Sequence, residues 1–450
     1  MKILIIGAGE IGYDLANILS EEKQDVTVLD HNSASINNVE STLDVLTVQG
    51  NATYARDLQK AGADTADIVI AVTSIDEVNM IASMMSKRLG AKMVIARVRS
   101  DELSHEDAPL KPMDLGIDVV IHPELSAAKE IFQLIKRSSA SDLVKLADNK
   151  LQIIGIRLEK SSPLIGKTLI EYARDNSHIT FRVVSVARRG NTIMPKGDFK
   201  LQEADQIFVI AETKDIPEVI AATGRIERKV DSIMIAGGSP IGEMIARLLS
   251  EDANAPMTIK LIEPKREQAE KLASALPDTL VLHGNPTDPN LLATESINET
   301  DVFISVTTDE ESNIISCLMA KHLDVPKTIA LVSKADYIPL SQTIGLDAAI
   351  NKKSAASDEI HRYVREGRVL SVTALHGVKA EVIELQAGEK AKIVKKPIQK
   401  IRFPDGCVIG GIINNGNVEI ATGDSQVRPN DRVIVFALPK AVKKITSLFN

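Results

Sequence analysis

Short apolar runs alternate along the chain with stretches whose apolar residues recur at helical spacing. Lys2–Ile6, Val26–Leu29, Val45–Val48, Asp67–Thr73, Met93–Val98 and Gly116–Ile121 are rich in Ile and Val, as strands buried on both faces are. Between them lie helix-like segments at Ile11–Ser20, in the polar stretch after Asp30, at Leu58–Ala61 and at Met80–Leu89. Regular alternation of the two predicts an α/β fold, a doubly wound parallel sheet. Ligands bind such sheets beyond the carboxyl ends of the strands. Gly7, Asp30, Asn51 and Thr73 each follow a strand end and so share one rim.

The pattern then repeats. Ser232–Ala236 followed by Gly237-Gly238-Ser239-Pro240-Ile241-Gly242 is the counterpart of Ile3–Gly12, and Glu263 closes a later run as Asp30 does. Gly50, Asn51, Thr53, Leu58, Asp67, Thr73, Glu77 and Asn79 recur without a gap as Gly284, Asn285, Thr287, Leu292, Asp301, Thr307, Glu311 and Asn313. Chance likeness of two sheets does not keep polar residues at strand ends. Each half ends in a helix leaving the sheet, at Glu124–Lys136 and Ala355–Arg365, and is followed by a small α+β module. Ser138–Asp142 reads as a polar linker. The first module then has β-like runs at Ile153–Arg157, Thr180–Ala187 and Gln206–Ala211, with a short helix begun by Ser162–Lys167. In the second, Gly190, Gly197, Asp198, Asp205 and Val209 recur as Gly416, Gly423, Asp424, Asp431 and Val435. The expected domains are 1–137, 138–228, 229–366 and 367–450.

The first turn carries the candidate chemistry. Gly7, Gly9 and Gly12 form G-x-G-x-x-G between a strand and a helix, and Asp30 ends the next strand. This is the context a dinucleotide fingerprint requires. Gly7 permits the tight turn, Gly9 lets a pyrophosphate approach the backbone, and Gly12 lets helix and strand pack closely. The helix N-terminus presents unpaired N–H groups to the phosphates. Asp30 is placed to accept from a ribose 2′-hydroxyl, which favours NAD over NADP.

Bulk properties narrow the partners. A net charge of −8, 3% aromatics and no Trp give no footprint for nucleic acid. Two distant cysteines, Cys317 and Cys407, suit a reducing cytosol. The eight histidines form no zinc-type cluster, so no metal is expected. No apolar run reaches membrane-span length, and MKILIIGAG reads as a buried first strand rather than a signal peptide. The acidic balance predicts no polybasic anchor and no basic amphipathic helix, hence attachment to a membrane through a protein and not through lipid.

With these motifs in view, the chain resembles the TrkA family over essentially its whole length. The resemblance rests on the fingerprint, Gly50-Asn51-Ala52-Thr53, Val72-Thr73-Ser74-Ile75-Asp76-Glu77 with Asn79, and Pro163-Leu164-Ile165-Gly166-Lys167. It implies two Rossmann-like sheets, each followed by a C-terminal module, as tandem pairs of regulator-of-potassium-conductance (RCK) domains. It further implies a cytoplasmic gating-ring subunit, peripheral on the inner face of the plasma membrane beneath a TrkH- or TrkG-like potassium transporter. A homo-oligomer, usually a tetramer, and binding of NAD(H) and of ATP or ADP are also implied. Carried over, the first site comprises Gly7, Ala8, Gly9, Glu10, Ile11, Gly12, Asp30, Asn51, Thr73, Ser74 and Arg97. The second comprises Gly237, Gly238, Ser239, Pro240, Ile241 and Glu263. The chain departs from the pattern there: Ser239 replaces the middle glycine, and Leu331 stands where Arg97 stands. The second cleft is therefore expected to bind a dinucleotide more weakly. The exit helices are the expected contacts between subunits.

The alternative is an NAD-dependent oxidoreductase, which needs a proton donor or base beside the transferred hydride. His31 lies at the adenosine end, His122 and Lys129 start the exit helix, and Tyr54 and Arg56 lie in a rim loop. Asp76 and Glu77 are acids at a helix N-terminus, favoured there by the dipole alone. No Tyr-x-x-x-Lys or His–Asp arrangement stands out, so no catalytic residue is expected.

Overall fold

The computed structural model describes residues 1–100, 109–137, 140–176, 178–225, 229–252, 257–334, 337–352, 360, 363, 369–375, 378, 380–414 and 416–449. They form two compact units, 1–126 with 352–364, and 127–351 with 365–450.

In the first unit β1 (Lys2–Ile6), β2 (Asp25–Asp30), β3 (Leu46–Gln49), β4 (Ile68–Ala71), β5 (Met93–Arg97) and β6 (Val119–Ile121) form a parallel sheet ordered β3-β2-β1-β4-β5-β6. Helices α1 (Glu10–Glu21), α2 (Ser33–Thr42), α3 (Ala55–Lys60) and α4 (Asp76–Leu89) connect the strands. Strand periodicity sends Ile3 and Ile5 into one core with Leu15, Leu19 and Val28, and Leu4 and Ile6 into the other with Leu58 and Val69. Chain order reverses between β1 and β4, which places the crevice beyond the carboxyl ends of these strands.

Helix α5 (Pro123–Lys136) leaves the first unit and enters the second. There β7 (Asp142–Leu146), β8 (Leu151–Arg157), β9 (Phe181–Arg188), β10 (Asn191–Ile193) and β11 (Gln206–Glu212) make an antiparallel sheet with α6 (Leu169–Asp175) and α7 (Ile216–Ala222). A second parallel sheet follows: β12 (Ser232–Ala236), β13 (Thr258–Glu263), β14 (Thr279–His283), β15 (Val302–Ser305), β16 (Lys327–Val332) and β17 (Ala348–Asn351). Its order, β14-β13-β12-β15-β16-β17, copies the first. Its helices are α8 (Pro240–Ser250), α9 (Arg266–Ala275), α10 (Pro289–Thr294), α11 (Glu310–His322) and α12 (Tyr337–Ile344). The last module has β18 (Val369–Ala374), β19 (Glu381–Gln386), β20 (Cys407–Asn414), β21 (Asn417–Ile420), β22 (Arg432–Ala437) and α13 (Pro439–Thr446). The two small sheets share one core, with Leu151, Phe208 and Ile210 packed among Val382, Ile434 and Phe436.

Four expectations are corrected. Asp142 begins a strand rather than ending a linker, because Leu143–Leu146 pairs with β8 and Asp142 is buried. The helix after Ser162–Lys167 starts only at Leu169, where Thr168 and Glu171 form a reciprocal capping box. The inner face of α5 is not free for another subunit: Ala127, Ala128, Ile131, Leu134 and Ile135 are buried with Ile233, Ile235 and Ile245. Lys327 fixes its end, the ammonium donating to the carbonyls of Leu134, Arg137 and Ala140 at 2.6, 2.8 and 2.7 Å. Finally, α13 is a basic amphipathic helix, burying Ala441 and Ile445 and exposing Lys440, Lys443 and Lys444. Net charge hid it, since its lysines are outnumbered over the whole chain. The other exit helix, Ala355–Arg365, lies almost wholly outside the described residues; Ile360 is buried in the first unit's core.

Candidate functional site

The first glycine turn is held from below. Gly7 has φ +105°, and its N–H donates to the Leu29 carbonyl at 2.8 Å. A Cβ on Gly12 would stand 1.8 Å from the Gly7 carbonyl oxygen, so only glycine lets α1 pack on β1. Gly9 differs from both. A Cβ there would meet nothing within 4 Å, and no side chain caps α1. The first amides of α1 therefore face open space, where an anion can accept from them. Asp30 lies beside this opening, with only 12% of its side chain exposed. One oxygen accepts from Ala8 N–H at 2.6 Å and the other from Asn32 N–H at 2.8 Å, so the carboxylate ties the glycine turn to β2. His31 Nδ1 stands 3.2 Å from the oxygen that accepts from Asn32, and the carboxylate has lone pairs beyond these contacts for ribose hydroxyls.

The other sequence-derived residues divide. Asn51 accepts from the N–H and hydroxyl of Thr53 at 2.9 and 2.8 Å, which fixes the loop after β3. Thr73 is clamped by Asn79, whose carbonyl accepts from Thr73 N–H at 2.9 Å and from its hydroxyl at 2.7 Å. The Asn79 amide donates to the carbonyls of Thr73 and Arg97 at 3.1 and 2.9 Å, joining the ends of β4 and β5. Asn313 repeats this clamp on Thr307 and Leu331. Ser74 is exposed, and its carbonyl accepts from Arg99 at 2.6 Å.

Arg97 does not reach into open space. It is buried, and its Nη2 donates to Glu124 at 2.6 Å, also buried, at the root of α5. Lys352 and His122 stand 3.6 and 3.7 Å from the same carboxylate. Burial pushes the Glu124 carboxyl up, but Arg97, helped by Lys352 and His122, outweighs it and holds the group below the usual carboxylate range. Arg97 Nε is buried without a hydrogen-bond partner. Glu124, Arg99 and Asn79 were not among the expected site residues. Only Asn79 left a signal, as a polar residue kept in both halves on the inner face of a helix.

The second cleft is built alike and closed differently. Glu263, buried, accepts from Gly238 N–H at 2.8 Å and Lys265 N–H at 2.9 Å. Ser239 caps α8: its hydroxyl accepts from Gly242 N–H at 3.3 Å and donates to the Val306 carbonyl at 2.6 Å. Pro240 has no N–H to offer. A Cβ on Gly238 would lie 2.3 Å from Leu272 Cδ1, so α9 fills the space beside the turn. Among the described residues, no group of three His, Cys, Asp or Glu side chains can hold a metal ion, and no helix is long and apolar enough to cross a membrane.

Comparison with known proteins places this architecture. The TrkA-N domain matches residues 3–123 and 233–352, and the TrkA-C domain matches 153–224 and 382–450. The chain is 33% identical to the Trk system potassium uptake protein TrkA of Halomonas elongata, covering 100% of this chain and 98% of that protein. The protein of the same name from Vibrio alginolyticus is also 33% identical, with the same coverage. Among solved structures, the GsuK RCK domain superposes with a TM-score of 0.62 at 18% identity, over 100% of this chain and 94% of that one. The GsuK channel bound to NAD gives the same score and identity, over 100% and 78%. With both of its domains present twice and in order, the chain belongs to the TrkA family.

Proposed function

We propose that this chain is the cytoplasmic regulatory subunit of a potassium-uptake transporter and binds NAD(H) in its first cleft. The observation that carries the nucleotide reading is the uncapped N-terminus of α1 at Gly9, open to solvent beside Asp30. The names of the TrkA relatives support the transport role, and the NAD-bound GsuK channel supports a nucleotide in this fold. Adenine nucleotides such as ATP and ADP fit the same amides and carboxylate. The second cleft, self-capped and partly filled, is the weaker site. The working division of the chain remains 1–137, 138–228, 229–366 and 367–450, and its role is binding rather than catalysis.

A ligand moves an equilibrium only by binding two states unequally. Phosphate at the rim gives Arg97 an anion to bind in place of Glu124. Because Glu124 stands at the root of α5, exchange of that partner is where occupancy acts on the exit helix. Assembly into a homo-oligomeric ring, a tetramer in this reading, would then sum a modest coupling over several sites. The contact surfaces we assign are α4 and α11, not α5. Ile81 and Met84 on α4 are exposed, as is Ile315 on α11 in an apolar groove of about 370 Å³.

Potassium uptake in cells lacking their own such subunit tests the role. The chain should restore uptake and co-purify with the membrane-embedded transporter. Steady-state turnover of NADH with a small carbonyl substrate, without any effect on uptake, would overturn it.

A further inference from the structure

The last module carries a surface that its repeat lacks. Residues 388–406 run along α13 and share its layer over the sheet. Gly388 and Ile393 N–H donate to the Phe449 and Leu448 carbonyls at 3.0 and 3.1 Å beyond one end of the helix. Leu438 N–H donates to the Gly406 carbonyl at 2.8 Å at the other. Ala391, Ile393, Ile398, Ala441, Ile445 and Phe449 face one core beneath. The outer side of this layer is basic. Residues 388–406 hold five lysines and Arg402 against Glu389 and Asp405, and α13 adds Lys440, Lys443 and Lys444 with no acid. All nine cations are exposed, and among the described residues none is in an ion pair.

The matching layer of the first module is close to neutral. Residues 158–176 with α7 hold Lys160, Lys167 and Arg174 against Glu159, Glu171, Asp175 and Glu218. Lys167 is tied to Asp175 at 2.7 Å, and Arg225 to Glu159 at 3.1 Å. Two modules of one topology thus differ in charge on one face, within a chain whose net charge is −8.

We propose that the layer formed by residues 388–406 and α13 docks on an anionic lipid bilayer. Three features select lipid headgroups over a structured partner. The cations are lysines but for Arg402, mobile point charges rather than the planar forks that grip one carboxylate or phosphate. They are spread over an outer face. The apolar side of α13 is spent in the module's own core, so attraction is electrostatic, without insertion, and decays within a Debye length of about 10 Å at 0.1 M salt. Lipid contact adds to attachment through a protein partner and fixes which end of the chain faces the bilayer. The proposal shares the membrane setting of the proposed function, but lipid vesicles hold no transporter, so the two readings fail separately.

The test is sedimentation of the full chain with phosphatidylcholine vesicles, with and without one-third phosphatidylglycerol. Binding should require the anionic lipid and disappear at high salt. Lys440→Gln, Lys443→Gln and Lys444→Gln together should lower the partition coefficient about a hundred-fold. Lys160→Gln with Lys167→Gln should leave it unchanged, and NADH affinity and circular dichroism should match the wild type in both variants. Equal binding to neutral and anionic vesicles would overturn the proposal, as would an unaffected triple variant. Binding only to vesicles that contain the transporter would give the surface to an acidic protein instead, and retention on DNA without vesicle binding would give it to nucleic acid.

Discussion

The two nucleotide-type clefts share a backbone and differ in what fills it. Both turns need the left-handed glycine at Gly7 or Gly237, both forbid a Cβ at Gly12 or Gly242, and both tie a carboxylate to the turn. At Gly9 the first leaves its helix amides uncapped, whereas Ser239 satisfies one amide of the second from within. Ala8 and Val39, both in the first core, have Gly238 and Leu272 at the same positions of the second half, which nearly conserves side-chain volume while moving bulk from the turn to the helix. A repeated fold therefore does not repeat a site. The glycines needed for packing are retained in both copies, and those needed only for ligand approach are free to change.

The largest expected effect comes from giving the first half the second half's residue at β5. Arg97→Leu leaves Glu124 buried with its main partner gone, which costs about 3–5 kcal/mol at neutral pH. The sign with pH follows from the direction of the shift. Glu124 has its carboxyl held low by Arg97, so the pair stabilises above the unfolded carboxyl value of about 4.3 and is lost as pH falls through the lower folded value. Urea unfolding at pH 7 and pH 4 should show the gap between wild type and variant narrowing in acid. A gap that widens in acid would contradict the pairing.

Gly12→Ala and Gly242→Ala should each cost about 1–3 kcal/mol by overpacking, since the added Cβ meets a backbone carbonyl at 1.8 or 2.1 Å. Thermal unfolding of each variant checks that the two positions behave alike; a variant as stable as the wild type would mean that packing does not set that glycine. Gly238→Ala should destabilise by about 1 kcal/mol through its clash with Leu272, and Leu272→Val in the same chain should recover most of it. A double-mutant cycle without coupling would break that part of the comparison. Ser239→Gly is the mildest, costing only a few tenths of a kcal/mol because glycine is itself an acceptable N-cap.

How far the sequence carried the reading depends on what each residue answers to. The turn at Gly7–Gly12 was legible because local sterics demand glycine whatever surrounds it. Asp30 was legible because a strand end fixes its position. The partner of Arg97 was not, since Glu124 reaches it only once α5 has packed. The destination of α5 was equally hidden: its apolar face announces burial but not which sheet buries it, and Lys327 acts from far along the chain. Thr73 and Asn51 lie just past the ends of β4 and β3, and their hydrogen bonds serve the loops themselves. The basic layer on the last module is masked by the acidic balance of the whole chain, and folding brings its two lysine-bearing segments, 388–406 and α13, side by side.

Gly9→Ser tests the central claim most directly, because it imports the second cleft's cap into the first where a Cβ has room. Calorimetric titration of NADH into this variant should show a stable protein whose affinity is lower by roughly ten- to a hundred-fold, the loss of a charge-assisted contact with the helix amides. An unchanged NADH isotherm, in a variant that melts at or above the wild-type temperature, would place the nucleotide elsewhere.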